Sequence, residues 1–195
     1  MKQILLFFFC ATTLLTAKAQ QNEEERKGLK RENWYIGSGV NVGFFQGWML
    51  GLNPETGYSV GKFLDVGFAT NFNYITQNVA PGVSSRFTAL GGGPYMRGWI
   101  ANRFFITSQF EYNFIKESLV QGGVKRYFRY EAPSLLVGAG WGNRFIGGSQ
   151  FYTSIMVDVL KDPNSPYVDQ VNNTLLPVFR TGFLFYFRPK QERER

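Results

Sequence analysis

The residues in this chain that could do chemistry are few and restricted in type. There is no histidine, and the one cysteine is Cys10. Without imidazole the chain lacks the commonest general base, the Ser-His-Asp arrangement and a nitrogen ligand for metals. Five charged residues stand out instead: Glu55, Glu111, Asp158, Arg97 and Arg180. Two carboxylates across a cleft can hydrolyse a glycoside as acid and base. Here the three acids come from different extended segments, and each shares its face with polar residues rather than with a second acid. Three acids and two arginines inside a narrow space must pair, because an unpaired buried charge is costly. The expectation is a structural cluster of lumen ion pairs built from Glu55, Arg97, Glu111, Asp158 and Arg180. No catalytic residue, cofactor or metal site is expected.

Other motifs read the same way. Gly91-Gly92-Gly93, Gly138 with Gly140, and Gly147-Gly148 lack the Lys-Ser/Thr and following helix of a phosphate loop. They fall in strand patterns, where glycine makes room for a large neighbour. Asp162, Asn164 and Asp169 could face a calcium ion, but their spacing lacks the usual loop with its terminal Glu. Asn172-Asn173-Thr174 has the form of an N-glycan acceptor, a short pattern that many chains carry by chance.

The elements that must position these residues announce themselves by alternation. Residues 1–19 read as a secretory signal: Lys2, an apolar core from Ile4 to Leu15, and Ala17-Lys18-Ala19 before the cleavage point at Gln20. The apolar run is too short to span hydrocarbon ~30 Å thick. Cys10 lies within this segment, so the mature chain has no thiol, no disulfide and no Cys-based metal site. Losing Lys2 and Lys18 lowers the net charge from +7 to +5. In an exported protein that balance points to anionic headgroups or a solvated surface, not to nucleic acid. Residues 20–32 form a charged segment, and 188–195 a basic tail.

Between them, residues 33–187 alternate apolar with polar or small side chains. Eight strands are expected: Trp34 to Phe45, Trp48 to Val60, Leu64 to Ile75, Arg86 to Ile100, Phe104 to Ile115, Tyr127 to Gly142, Phe145 to Leu160 and Leu175 to Phe187. Aromatics make up 17 % of the chain, yet the average hydropathy is slightly negative, which fits strands with one apolar and one polar face. Tight connections at 61–63, 101–103 and 143–144 alternate with longer ones at 76–85, 116–126 and 161–174, the asymmetry of a membrane barrel. Pro54, Pro94, Pro133 and Pro177 fall within strands and should each mark a bulge or a lost hydrogen bond. A lipocalin-like barrel would turn its apolar face inward. The Gly, Asn, Gln, Glu and Arg on the other face here suit a filled polar lumen. The fold class expected is therefore all-β: an eight-stranded antiparallel up-and-down transmembrane β-barrel.

The last expected strand places Phe183, Phe185 and Phe187 on one face, an arrangement suited to lipid and its interface and to an assembly signal. This closing Gly182-Phe183-x-Phe185-x-Phe187 goes with Pro54-Glu55-Thr56-Gly57-Tyr58, Val66-Gly67, Gly93-Pro94-Tyr95-Met96-Arg97, Asp158-Val159-Leu160 and Asn164-Ser165-Pro166-Tyr167. Together they resemble the small outer-membrane β-barrels of Bacteroidota often called PorT-like, related in plan to OmpA/OmpX-type barrels. The resemblance covers Trp34 to Phe187. It implies an outer-membrane location in a Gram-negative bacterium, periplasmic termini, contact with outer-membrane lipid, the barrel-assembly machinery and an envelope protein partner, and no nucleic acid. The motifs say little about role; the lack of histidine and of any catalytic constellation points to a non-enzymatic one, as a structural or interaction module or an accessory subunit of an envelope complex. A narrow porin or small-solute channel is the alternative.

Overall fold

The computed structural model describes residues 29–44, 47–80, 83–169 and 174–187. The signal segment 1–19, most of the charged segment 20–32 and the tail 188–195 lie outside the described residues. Eight strands follow in order: β1 Trp34–Phe44, β2 Gly47–Ser59, β3 Leu64–Ala80, β4 Val83–Ile100, β5 Phe104–Gln121, β6 Val124–Gly142, β7 Ser149–Asp158 and β8 Val178–Tyr186. Each pairs antiparallel with the next, and β1 closes on β8 from Tyr35 opposite Tyr186 to Val42 opposite Phe179. The chain is a closed, eight-stranded, all-antiparallel β-barrel.

Alternation decides which way each side chain faces. On β2 every second residue from Met49 to Ser59 is buried, while Trp48, Leu50 and Leu52 are exposed. On β8 Val178, Arg180, Leu184 and Tyr186 are buried, and Phe179, Phe183 and Phe185 point outward. The outward apolar run has nearly constant length. It spans Trp48 to Tyr58 on β2, Leu64 to Tyr74 on β3, Leu90 to Ile100 on β4 and Phe104 to Phe114 on β5. Ten residues of tilted strand climb about 25 Å along the barrel axis, the height of a lipid-facing band.

Four strands overshoot that band. The segments 76–85 and 116–126, expected as loops, are largely strand. β3 and β4 stay paired out to Ala80 and Val83, and β5 and β6 out to Gln121 and Val124. Gly122 and Gly123 make the β5–β6 turn at φ of 57° and 80°, a conformation side chains resist. The result is a four-stranded sheet standing beyond the barrel at one end, here the sheet end. The other, the turn end, holds residues 60–63, 101–103 and 143–148 together with Trp34 and Phe187. The seventh strand also starts later than alternation implied. Residues 143–148 form a turn, with Gly147 at φ 85°, and β7 begins at Ser149.

Two prolines interrupt ladders without shifting them. The β2–β3 register skips Asn53 and Pro54, and the β4–β5 register skips Gly93 and Pro94, with the pairing resumed in step. Thr70 Oγ1 donates to the Pro54 carbonyl at 3.3 Å across the first gap. Pro133 pairs with Tyr112 on one side, and its other side lies past the end of β7, whose pairing starts at Leu136. Pro177 precedes β8.

Candidate functional site

The barrel interior is where the chemistry-bearing residues converge. Glycine makes that possible. At every strand pair an inward glycine stands opposite a larger inward residue: Gly57 opposite Tyr35, Gly67 opposite Tyr95, Gly140 opposite Phe105, and Gly142 and Gly182 on either side of Tyr152 are the aromatic cases. A Cβ on Gly182 would sit 2.8 Å from the Tyr152 ring, and one on Gly67 equally close to Tyr95. Each large ring therefore lies flat over a neighbouring backbone, and eight narrow strands can contain it.

At the turn end, Arg144 reaches under the barrel from the β6–β7 connection. Its Nη2 lies 2.6 Å from Asp65 Oδ1 and donates to the Gly61 carbonyl at 2.8 Å, while Nη1 donates to the Lys62 carbonyl. Asp65 also accepts from Ser59 Oγ at 2.7 Å and Trp99 Nε1 at 2.6 Å. The Arg144 amide donates to Asn102 O at 3.0 Å, so all three turns are tied together.

The next layer is aromatic. Tyr35, Tyr95, Trp99, Phe105, Tyr152, Leu184 and Tyr186 pack as one buried cluster. Arg97 is inserted into it, its guanidinium 4.3 Å from the Tyr152 ring centre and 5.2 Å from those of Tyr95 and Phe105. Arg97 Nη2 pairs with Glu55 Oε2 at 3.2 Å, and Tyr152 donates to the other Glu55 oxygen. Arg97 Nε and Nη1 have no hydrogen-bond acceptor, so ring faces take that part of the cation.

The middle layer is polar. Glu111 Oε1 faces Arg180 Nη2 at 3.4 Å and accepts from Gln109 Nε2 at 2.8 Å. Arg180 Nη1 donates to Gln109 Oε1 at 2.6 Å, and its Nε to Asn41 Oδ1 at 2.8 Å. Asn41 continues to Asn53 and Asn73, each at 3.1 Å. Asn71 donates to Glu111 Oε2 and, at 2.9 Å, to Asn113 Oδ1. Every carboxylate charge here has a cation or a fan of donors, as a low-dielectric interior requires.

The connection after β7 closes the sheet end. Residues 159–169 turn inward, with Ser165, Tyr167 and Val168 buried. Tyr167 donates to Glu111 Oε2 at 2.7 Å and accepts from Asn73 at 2.9 Å and Asn71 at 3.1 Å. Its ring belongs to one buried apolar cluster with Ile75, Phe87 and Ile115 from the inner face of β3, β4 and β5, and with Met49 of β2 and Val178 of β8. Asp158 joins neither arginine. It accepts from Ser165 Oγ at 2.6 Å and from the Leu135 and Leu160 amides at 3.0 and 3.1 Å, which anchors the inturned connection.

The five charged residues singled out in the sequence thus all lie buried inside the barrel. Glu55 meets Arg97 and Glu111 meets Arg180, but Asp158 stands apart. The third ion pair, Asp65 with Arg144, was not anticipated. Asp65 was legible, since alternation on β3 turns it inward between Leu64 and Val66. Arg144 and Tyr167 were not, because both reach the interior from connections that carry no periodic signal. Phe183, Phe185 and Phe187 point outward, 54 %, 55 % and 38 % exposed.

No protein-family model matches the sequence, and no curated protein matches it. Solved structures do. The chain is similar to Ail, the attachment invasion locus protein of Yersinia pestis, solved in complex with the heparin analogue sucrose octasulfate, at TM-score 0.50 and 9 % identity over 79 % of this chain and 96 % of that one. It is similar to Neisserial surface protein A at TM-score 0.50 and 12 % identity, covering 80 % of this chain and 97 % of that one. At these identities the likeness is one of fold, the small closed barrel of outer-membrane proteins.

Proposed function

We propose that this chain is an outer-membrane barrel without catalytic activity and without an open pore, which holds a rigid sheet outside the membrane as an interaction surface. The observation that carries this reading is the bonding across the lumen. Tyr35 and Tyr95 share a hydrogen bond of 2.7 Å, joining β1 to β4. Tyr152 on β7 bonds Glu55 on β2, and Arg180 on β8 meets Glu111 on β5 at 3.4 Å. Each bond joins strands three places apart in a ring of eight, so it crosses the interior rather than following the wall. With Tyr167 seated above them, these side chains act as a plug. Both glutamates are held by an arginine and a tyrosine, which leaves neither poised for general acid or base work.

The outward band of about 25 Å supports contact with outer-membrane lipid. In this orientation the turn end and both termini face the periplasm, and the standing sheet faces outward. Phe183, Phe185 and Phe187 serve the barrel-assembly machinery. Beyond Leu135 the outer edge of β6 has no strand beside it among the described residues, an edge on which an envelope protein partner can dock. The motifs shared with PorT-like barrels of Bacteroidota favour a place in that group.

Planar-bilayer recording of the purified protein tests the reading. Little steady conductance is expected. Large, stable and reproducible channels would replace it with the narrow-pore alternative.

A further inference from the structure

The outward face of the standing sheet is cationic where it leaves the lipid-facing band. Lys116 on β5 lies directly opposite Arg129 on β6, and Thr88 on β4 lies opposite Lys116 from the other side. Arg86 is one outward position further along β4, opposite Ser118. Arg86, Lys116 and Arg129 are all exposed. Directly opposed side chains have Cβ atoms about 5 Å apart, and like charges so placed repel. Among the described residues the ion pairs formed are Glu55–Arg97, Asp65–Arg144 and Glu111–Arg180, none of which involves these three cations. The neighbouring acids are engaged elsewhere. Glu131 accepts from Tyr112 Oη at 2.5 Å, and Glu117 faces inward, where it accepts from Ser85 Oγ at 2.7 Å. The patch therefore holds three cations beside the single carboxylate of Glu131.

Depth fixes what such a patch meets. On β5 the outward residues Phe104, Ile106, Phe110, Tyr112 and Phe114 line the band, and Lys116 is the next outward position. Two residues of tilted strand add about 5 Å of height, which places its ammonium at headgroup level. Arg129 stands at the same level by pairing, with Arg86 just beyond. Directly below lie Leu90, Phe114 and Glu131, the carboxylate of Glu131 being turned down onto Tyr112 Oη, and below these lie Tyr112 and Pro133. We propose that Arg86, Lys116 and Arg129 form a binding site for the phosphorylated headgroup of an outer-leaflet lipid. A phosphate between Lys116 and Arg129 would relieve their repulsion and accept charge-assisted hydrogen bonds from both. The apolar wall beneath would hold the acyl chains. That continuity of cations with an apolar wall fits an amphiphile and gives a free anion no added contact. The site rests on the outer-membrane placement proposed above.

The test uses the full chain purified in dodecyl maltoside and incubated with lipid A, the retained lipid being counted by native mass spectrometry. The wild type should retain lipid A and reject its enzymatically dephosphorylated form. The double variant Lys116→Gln/Arg129→Gln should retain it roughly 30-fold less, at the strength usual for two basic groups near an anionic surface. Lys125→Gln/Arg126→Gln removes the same charge higher on the same hairpin and should behave as wild type. Equal loss in both double variants, or equal retention of the dephosphorylated lipid, would overturn the site. Displacement of lipid A by millimolar inorganic phosphate would show a free-anion site and overturn the assignment to lipid. Heat-modifiable migration on SDS gels reports separately on the barrel. A wild-type chain that migrates alike with and without boiling and stays in the soluble fraction would overturn the outer-membrane reading itself.

Discussion

The Tyr167 hydroxyl donates to the Glu111 carboxylate at 2.7 Å, although one residue sits in a connection and the other faces inward from the opposite wall of the barrel. That bond joins the stopper at the sheet end to the polar layer below it. Tyr167→Phe keeps the ring among Ile75, Phe87 and Ile115 and removes only the hydroxyl. The expected cost is about 1.5–3 kcal/mol, the range for a hydrogen bond to a charged acceptor. Urea unfolding in lipid vesicles measures it. Cleavage by added protease between residues 161 and 169 should also be faster than in the wild type.

The Glu55–Arg97 pair is buried on both sides, its side chains 3 % and 5 % exposed. Arg97→Met leaves Glu55 with Tyr152 alone and should destabilise the barrel by about 3–5 kcal/mol. Adding Glu55→Leu removes the stranded charge and should restore most of that loss. The double variant matters more than the single one. If it is no more stable than Arg97→Met, the pair is not isolated in the way its geometry implies.

Side-chain direction on β8 gives a depth-dependent test. Phe183→Arg places a charge well inside the lipid-facing band and should cost ~2–4 kcal/mol, read as a lower heat-modifiable fraction in outer membranes. Phe187→Arg at the rim should cost under ~1 kcal/mol. Leu184 faces inward, but into the aromatic layer with Tyr35, Phe105 and Tyr152 rather than a polar one. Leu184→Gln should therefore insert normally and unfold about 1–3 kcal/mol more easily, because its amide finds no partner. A silent Phe183→Arg with a failed Leu184→Gln insertion would reverse the register of this strand.

Gly182 has the Tyr152 ring where a side chain would begin. Gly182→Val must push that ring away from Glu55 and unseat Arg97 behind it. The variant should assemble poorly, whereas Gly61→Val should assemble normally, since nothing lies within 4 Å of a Cβ there and only the local φ of 145° resists. Heat-modifiable yield compares the two.

Much of this architecture can be read from spacing alone. Where one strand face carries the outward apolar band, as at Phe104, Ile106 and Phe110, alternation is strong and fixes both the strand and its direction. The overshoot of β3 to β6 was hidden for the converse reason. Residues such as Ser85 and Ser118 lie beyond the outward apolar band, so the pattern fades and the composition looks like loop. The interior charges of the strands follow from period two. The contributions of Arg144 and Tyr167 depend on how two connections fold back into the barrel, and no residue spacing encodes that.

The central network also bears on how the barrel closes. Arg180 belongs to β8, which completes the ring, and it bonds at once to Asn41 on the first strand and to Gln109 on β5. Until β8 arrives, Glu111 waits without its cation. A slip of one residue in the β1–β8 seam would turn Arg180 toward lipid and Phe179 or Thr181 toward Glu111. A slip of two would carry the guanidinium about 7 Å along the strand. Either error leaves the Glu111 carboxylate without its cation inside the closed lumen, so the arginine works as a proofreader of the final seam, rejecting misaligned closures that main-chain hydrogen bonds alone would accept.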